Sequence, residues 1–302
     1  MYPSWLVSIL RLCCSLWVGL LALAGPLLAE AEPHQQQLNA SPVMEVRYYD
    51  RGKKDARHAY KFQLIHELLE ITRAEYGDYQ IIPFDAEPSA KRQALLISQG
   101  TSLNLTWASP GTVIANADVI SIPVDILKGL LGYRICLINP ENFPTEVKRL
   151  NELVIGQGLN WSDVDIYRAN AIEVRQGPSF EALFDMLAVK RYQCLPLGAD
   201  EVAFTWREKK ANYPFLEMEQ KLLIYYEYPI YLQISKRAPE LARRLELGLA
   251  KLMQNGRFDA LFDYYHAQDL ELLALRQRRL FCLVSPYLPA AGQCQDTPLL
   301  LR

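Results

Sequence analysis

Hydrophobic and polar positions alternate from Val43 to Tyr49 (VMEVRYY), and the run ends in Asp50-Arg51-Gly52, a strand followed by a turn. From His58 to Tyr76 the period becomes helical. Phe62, Ile65, Leu69, Thr72 and Tyr76 form one stripe, widened by Leu64 and Leu68, and Gly77-Asp78 stops it. YQIIPF reads as the next strand, Ser89 to Ser98 as a second helix ending at Gly100, and Leu103 to Trp107 as a third strand broken by Ser109-Pro110-Gly111. This β-α-β-α-β order predicts a largely parallel sheet with helices on its faces.

A long extended segment follows, ISIPVDIL and then GLLGYRICLI to Ile138, with a loop and a short helix expected over Pro144 to Leu150. Then β-α alternation restarts: VIGQG, a helix over Ser162 to Ala169, IEVRQG, a helix over Ser179 to Lys190, YQCLPLG, and a helix over Ala199 to Lys210. KLLIYYEYPIYLQIS is extended again. Pro239 opens a helix with the stripe Leu241, Leu245, Leu249 and Leu252, closed by Gly256. A shorter helix carries Phe258, Leu261, Phe262 and Tyr265, a third segment runs from Leu270 to Leu280, and the Pro/Gly-containing tail reads as irregular. Two β-α-β blocks with extended crossings before and after the second predict an α/β chain of two lobes, one inserted into the other. Residues 43–127 and 222–302 form lobe 1 and residues 128–221 form lobe 2. The crossings near 120–127 and 222–232 would serve as hinge strands around a ligand cleft.

The N-terminus is of a different kind. Leu12 to Ala24 is an apolar run after Arg11, followed by Gly25-Pro26 and the small-x-small triplet Ala29-Glu30-Ala31. It is shorter than the roughly 20 residues of a spanning helix. This is the layout of a cleavable secretory signal over residues 1–31, with cleavage after Ala31 and a polar leader over 32–42. Cys13 and Cys14 sit too early for a lipoprotein cleavage site. Export leaves Cys136, Cys194, Cys282 and Cys294 for an oxidising compartment. Cys282 and Cys294, close together in the tail, are the favoured disulfide; Cys136 and Cys194, in apolar strand-like runs, read as buried thiols.

Of the 302 residues 22% are charged and the net charge is -2, which argues against nucleic-acid binding. His34, His58, His66 and His266 lack zinc spacing, and neither G-x-S-x-G nor a phosphate loop occurs, so no cofactor, metal or catalytic constellation is expected.

Four stretches in this order resemble the family 3 extracellular solute-binding proteins, which have the two-lobed type 2 periplasmic-binding-protein fold. They are GLLGYRICLI (129–138), GQGLNWSDVDIYRANAIEV (156–174), SFEALFDMLAVKRYQCLPLGADE (179–201) and APELARRLELGLAKLMQNGRFDALFDYY (238–265). The resemblance covers essentially the whole mature chain. It implies a periplasmic, monomeric, non-enzymatic protein that captures a small polar molecule, an amino acid or a relative, for an inner-membrane ABC permease or a sensor. The chain departs from the family at one point of chemistry. Amino-acid binders place an Arg soon after the third strand to fork onto the ligand carboxylate; here TWASPGTVIANADV (106–119) has none, and Leu197 stands where a second Arg occurs. Two alternatives follow: a relative with lost or altered binding, or a dehydratase-like enzyme on the same fold with Glu201 as general base.

In such a fold the cleft is lined by residues at strand C-termini and at the helix starts that follow. The candidates are Tyr49 at the end of the first strand and Arg57 and Tyr60 at the next helix. Trp107 and Ser109 end the third strand, and Gln157, Gly158 and Trp161 lie in the second lobe. Ser179 opens a helix, and Glu201, beside Asp200, opens another. Gly158 would allow a ligand to approach the backbone, and Asp163 reads as a helix cap or part of the same cluster.

Overall fold

A computed structural model describes residues 43–49, 58–84, 86 and 88–289. The expected signal, the leader, Arg57 and Cys294 lie outside the described residues. Among the described residues no helix is long and apolar enough to cross a membrane.

The chain begins with β1 (Met44–Tyr49), α1 (Ala59–Ile71), α2 (Arg73–Tyr76), β2 (Tyr79–Phe84), α3 (Ala90–Gln99), β3 (Leu105–Ala108) and β4 (Val119–Ile122). It crosses to β5 (Tyr133–Ile138), β6 (Val154–Gly158), α4 (Asp163–Ala169), β7 (Glu173–Gly177), α5 (Phe180–Ala188), β8 (Cys194–Gly198), α6 (Val202–Lys210), β9 (Glu217–Met218) and β10 (Leu222–Tyr225). It returns through β11 (Tyr231–Ser235) to α7 (Pro239–Gln254) and α8 (Arg257–Leu273), and ends in β12 (Arg279–Cys282).

Two sheets result. The first has the order β2-β1-β3-β11-β4, with β1 parallel to β2 and β3, and β11 antiparallel to β3 and β4. The second has the order β12-β10-β5-β8-β6-β7, with β9 on the side of β5. The chain passes between the sheets three times: over residues 123–132, over residues 226–230, and finally through α7 and α8 from β11 to β12. An α/β fold of two sheet-and-helix lobes is therefore the observed architecture, and β12 brings the chain back to the second sheet after α8.

The stripe of α1 packs as its period requires: Leu64, Ile65, Leu68 and Leu69 are buried, facing the buried Leu241, Leu245, Leu249 and Leu252 of α7. The expected single helix from His58 to Tyr76 breaks at Thr72. The Thr72 hydroxyl donates to the Leu68 carbonyl at 2.7 Å, and the fully buried Arg244 reaches over from α7 to the Leu69 and Gly77 carbonyls at 2.9 and 3.0 Å. A guanidinium thus satisfies carbonyls left free at the helix end.

Other expectations differ from the structure. Pro144 to Leu150 forms no α-helix; short 3-10 turns at Pro140–Asn142 and Leu150–Glu152 flank it instead. The short helix expected after Gly256 runs on to Leu273 as α8, stopped at Ala274, whose φ is 47°, and the rest of the segment expected over Leu270 to Leu280 is a 3-10 turn at Leu275–Gln277 and the start of β12. The extended stretch after Gln220 is two strands in different sheets, separated at Pro229, which has no N–H to offer a ladder. Leu222–Tyr225 and Arg279–Cys282, placed in lobe 1 by the sequence reading, both hydrogen-bond into the second sheet.

The cysteines also differ from expectation. Cys136 and Cys194 are not buried thiols but a disulfide joining neighbouring strands β5 and β8, with Cα atoms 5.1 Å apart. Their separation of 58 residues hid the adjacency that sheet pairing creates. Cys282 is disulfide-bonded too; Cys294, its expected partner, is outside the described residues.

Beside the crossings lies a buried polar junction. Lys61 of α1 meets Asp200 of the second lobe at 3.5 Å, and both side chains are about 95% buried. The His266 ring of α8 packs against Tyr60 and Phe262, with centroids 5.0 and 4.8 Å away. Burial lowers the His266 pKa, and the Lys61 charge adds to this, while Asp200 and Asp269 oppose it.

Two predictions follow from these features. Replacing both Cys136 and Cys194 by Ala removes a crosslink whose loop entropy is worth about 4 kcal/mol, so urea unfolding should show a lower midpoint than that of the wild type under oxidising conditions. The unfolded chain binds a proton at His266 more readily than the folded one, so this residue costs stability as pH falls below about 6.5. The melting temperature should therefore drop less between about pH 7 and about pH 5 in His266→Phe than in the wild type; identical pH slopes would contradict the assignment.

Candidate ligand-binding cleft

A cavity of about 1230 Å³ lies between the two sheets and takes residues from both. The first lobe contributes the C-terminal ends of β1 and β3 and the start of α1. The second contributes the turn after β6, the first turn of α4 and the start of α6. The crossing strand segment adds Tyr228 and Ile230.

Five of the sequence-predicted residues line this cavity: Tyr49, Trp107, Ser109, Trp161 and Glu201. Glu201 Oε1 accepts the Gly198 N–H at 3.3 Å. Four others are placed elsewhere. Tyr60 is buried, and its hydroxyl donates to the Ile126 carbonyl at 2.7 Å, because its face of α1 turns toward the crossing segment. His58, one turn-edge earlier, lines the cleft instead, its ring 5.6 Å from that of Trp107. Gln157 is wholly buried, with its amide nearest the Pro196 carbonyl at 3.5 Å. Gly158 does not expose backbone to the cleft: a Cβ built there would lie 2.3 Å from the Trp161 ring, so the glycine admits tryptophan rather than ligand. Ser179 is an exposed cap, accepting the Ala182 N–H at 3.2 Å. Asp200 meets an ammonium, but it is that of Lys61.

The residue that organises the cleft was missed. Arg134 of β5 lines the cavity with its side chain only 5% exposed and binds Asp163 Oδ1 through Nη2 at 2.9 Å. The Tyr226 hydroxyl donates to the same carboxylate oxygen. The guanidinium carbon stands 5.1 Å from the Tyr226 ring and 5.3 Å from the Tyr228 ring, within cation–π range. Burial works against the Arg134 charge, but the Asp163 carboxylate and the neighbouring tyrosines outweigh it and raise the pKa further. Arg134 Nε has no hydrogen-bond partner among the described residues. The signal was present in the sequence: a lone arginine inside the apolar strand YRICLI is a buried charge that demands a partner.

Tyr228 sits between the lobes. Its hydroxyl shares a hydrogen bond with Ser162 of the second lobe, with Ser109 of the first within reach, and burial pushes its pKa well up. The cleft is therefore walled by aromatic rings, and its most deeply buried charges are already paired with each other. Among the described residues no cluster of three or more His, Cys, Asp or Glu is arranged to hold a metal.

No protein-family model matches the chain, and no curated protein does. Solved structures do. One is the substrate-binding protein of an amino acid ABC transporter, at 12% identity over 69% of this chain and 88% of that one, with a TM-score of 0.46. A solute receptor for L-cysteine of Neisseria gonorrhoeae matches at 13% identity over 76% and 91%, with a TM-score of 0.45. An arginine-specific periplasmic binding protein of Salmonella typhimurium matches at 10% identity over 68% and 88%, with a TM-score of 0.49. At this level of similarity a shared ligand does not follow.

Replacing Asp163 by Ala strands Arg134 in the interior, and breaking a buried pair in this way costs about 3–5 kcal/mol. Chemical denaturation should show that loss, and the double replacement Arg134→Met with Asp163→Leu should recover much of it. A single variant as stable as wild type would refute the pairing.

Proposed function

We propose that this chain is an exported solute-binding protein that takes a small polar molecule between its two lobes and presents it to an inner-membrane permease or sensor. The observation that carries the reading is the cleft itself, built from the C-terminal strand ends of both sheets and bordered by the extended crossing over residues 226–230. Its volume of about 1230 Å³ exceeds the roughly 300–1000 Å³ of ordinary ligand pockets. A small ligand would fill it only once the lobes approach, with residues 123–132 and 226–230 absorbing the motion. The disulfide between Cys136 and Cys194 fits an oxidising compartment, and with it export and cleavage after Ala31. Lobe 1 is then the first sheet with α1–α3 and α7, and lobe 2 the second sheet with α4–α6.

A second reading, a relative that no longer binds a charged solute, is favoured by one specific feature. Arg134 and Asp163 neutralise each other where a zwitterion would need both charges.

Thermal unfolding against a panel of amino acids, amines and small carboxylates separates the readings. A true ligand at a hundred times its Kd adds about 2.7 kcal/mol, a rise of about 5–10 °C in melting temperature. A panel without any shift would remove the solute-binding reading.

A further inference from the structure

The segment after β12 does work that neither lobe explains. Leu283 N–H bonds the Tyr225 carbonyl at 2.8 Å, continuing the edge of the second sheet. Val284 is then held on both sides by Asn170, whose Oδ1 accepts its N–H at 3.0 Å and whose Nδ2 donates to its carbonyl at 2.9 Å. Thus anchored, the chain turns and places Tyr287 on the cavity wall. The Tyr287 hydroxyl donates to Asp165 Oδ2 at 2.7 Å, with the Ser162 carbonyl at 3.3 Å, both in the second lobe. Its ring lies on the first lobe: a Cβ added to Gly111, in the loop after β3, would sit 2.3 Å from the ring. Gly111 has φ +84°, so glycine is suited both to this turn and to the contact.

We propose that Tyr287 is a gate of the cleft, a third wall supplied by the C-terminal segment. It spans from Asp165 to Gly111 and holds the lobes together at that edge while no ligand is present. An incoming molecule displaces the ring from Gly111 or packs against it, so this tail residue belongs to the binding determinants. The segment is not a passive extension, because one side chain grips both lobes and faces the cavity. A tail that served only stability would be satisfied by the β12 ladder and the Asn170 bonds.

The test needs no ligand, so its outcome is separate from that of the solute-binding reading. Amide hydrogen exchange is measured on the full mature chain, comparing wild type with Tyr287→Phe, Tyr287→Ala and Asp165→Asn. Losing a hydrogen bond to a carboxylate shifts a local open-to-closed ratio by roughly tenfold. Exchange in residues 109–117, on the opposite lobe, should therefore quicken by about that factor in Tyr287→Phe and more in Tyr287→Ala. Acrylamide quenching of the cleft tryptophans Trp107 and Trp161 should rise in parallel. Asp165→Asn, which keeps the Tyr287 hydroxyl and leaves it an uncharged oxygen acceptor, should give a smaller change. Unaltered exchange in 109–117 for both Tyr287 variants would overturn the proposal. So would exchange that quickens equally across α7 and the first sheet, since that reports a loss of global stability rather than an opened gate.

Discussion

The two extended passages between the sheets, over residues 123–132 and 226–230, are the constraint on which this structure depends, and Asp125 is the residue that ties them together. Crossing chain leaves the ladders of both sheets, so its N–H groups need other partners. Asp125 accepts from Leu127 N at 3.0 Å and Gly129 N at 2.7 Å in its own crossing, and from Ile230 N at 3.1 Å in the other. Burial raises its pKa, and those three N–H bonds pull the other way. Backbone bonds from Ile126 to Ile230 at 3.0 Å and from Tyr226 to Gly132 at 3.3 Å complete the pairing. One carboxylate thus joins the crossings into a single two-stranded connection. Everything that faces the cleft is positioned from that connection outward.

The electrostatics of the cleft follow from the same economy. A charged group removed from water must find an opposite charge or a set of dipoles. Arg134 finds Asp163, Lys61 finds Asp200, and Arg244 finds carbonyls at the end of α1. These pairings hold together elements far apart in sequence, and the one on the cavity wall, Arg134 with Asp163, also uses up charge that a ligand would otherwise meet. What the wall still presents is aromatic surface, Trp107 and Trp161 among it, the hydroxyls of Tyr228 and its serine neighbours, and the less buried charges of Lys91, Asp165, Arg168 and Glu201. The absence of an arginine in 106–119 and the internal pairing of Arg134 therefore bear on one question: how a solute carrying a carboxylate would be held.

Fold class was legible because it depends on local periodicity. The stripe of α1, the leucines of α7 and the two β-α-β blocks are all contained within windows of a few turns or strands. The candidate site was legible only where position along an element decides exposure. Residues at or just past strand ends, such as Trp107, Ser109 and Trp161, reached the cavity wall. Residues whose exposure depends on helix rotation or on a neighbour across the sheet did not follow the same rule. Tyr60 turned inward, and Gly158 was covered by Trp161. Arg134 was overlooked because a strand reading ranks it as an interruption, although its isolation among apolar residues was itself the clue.

By itself the sequence determined most of the helices and strands and the two β-α-β blocks, since hydrophobic period and breaker residues act over short distances. Tertiary structure alone decided the Cys136–Cys194 bond, the membership of Leu222–Tyr225 and Arg279–Cys282 in the second sheet, the Arg134–Asp163 pair and the reach of Tyr287 to Gly111. Nearly all of these join residues separated by dozens of positions or more. Such contacts arise from sheet order and from the search of buried polar groups for partners, neither of which leaves a local pattern in the chain.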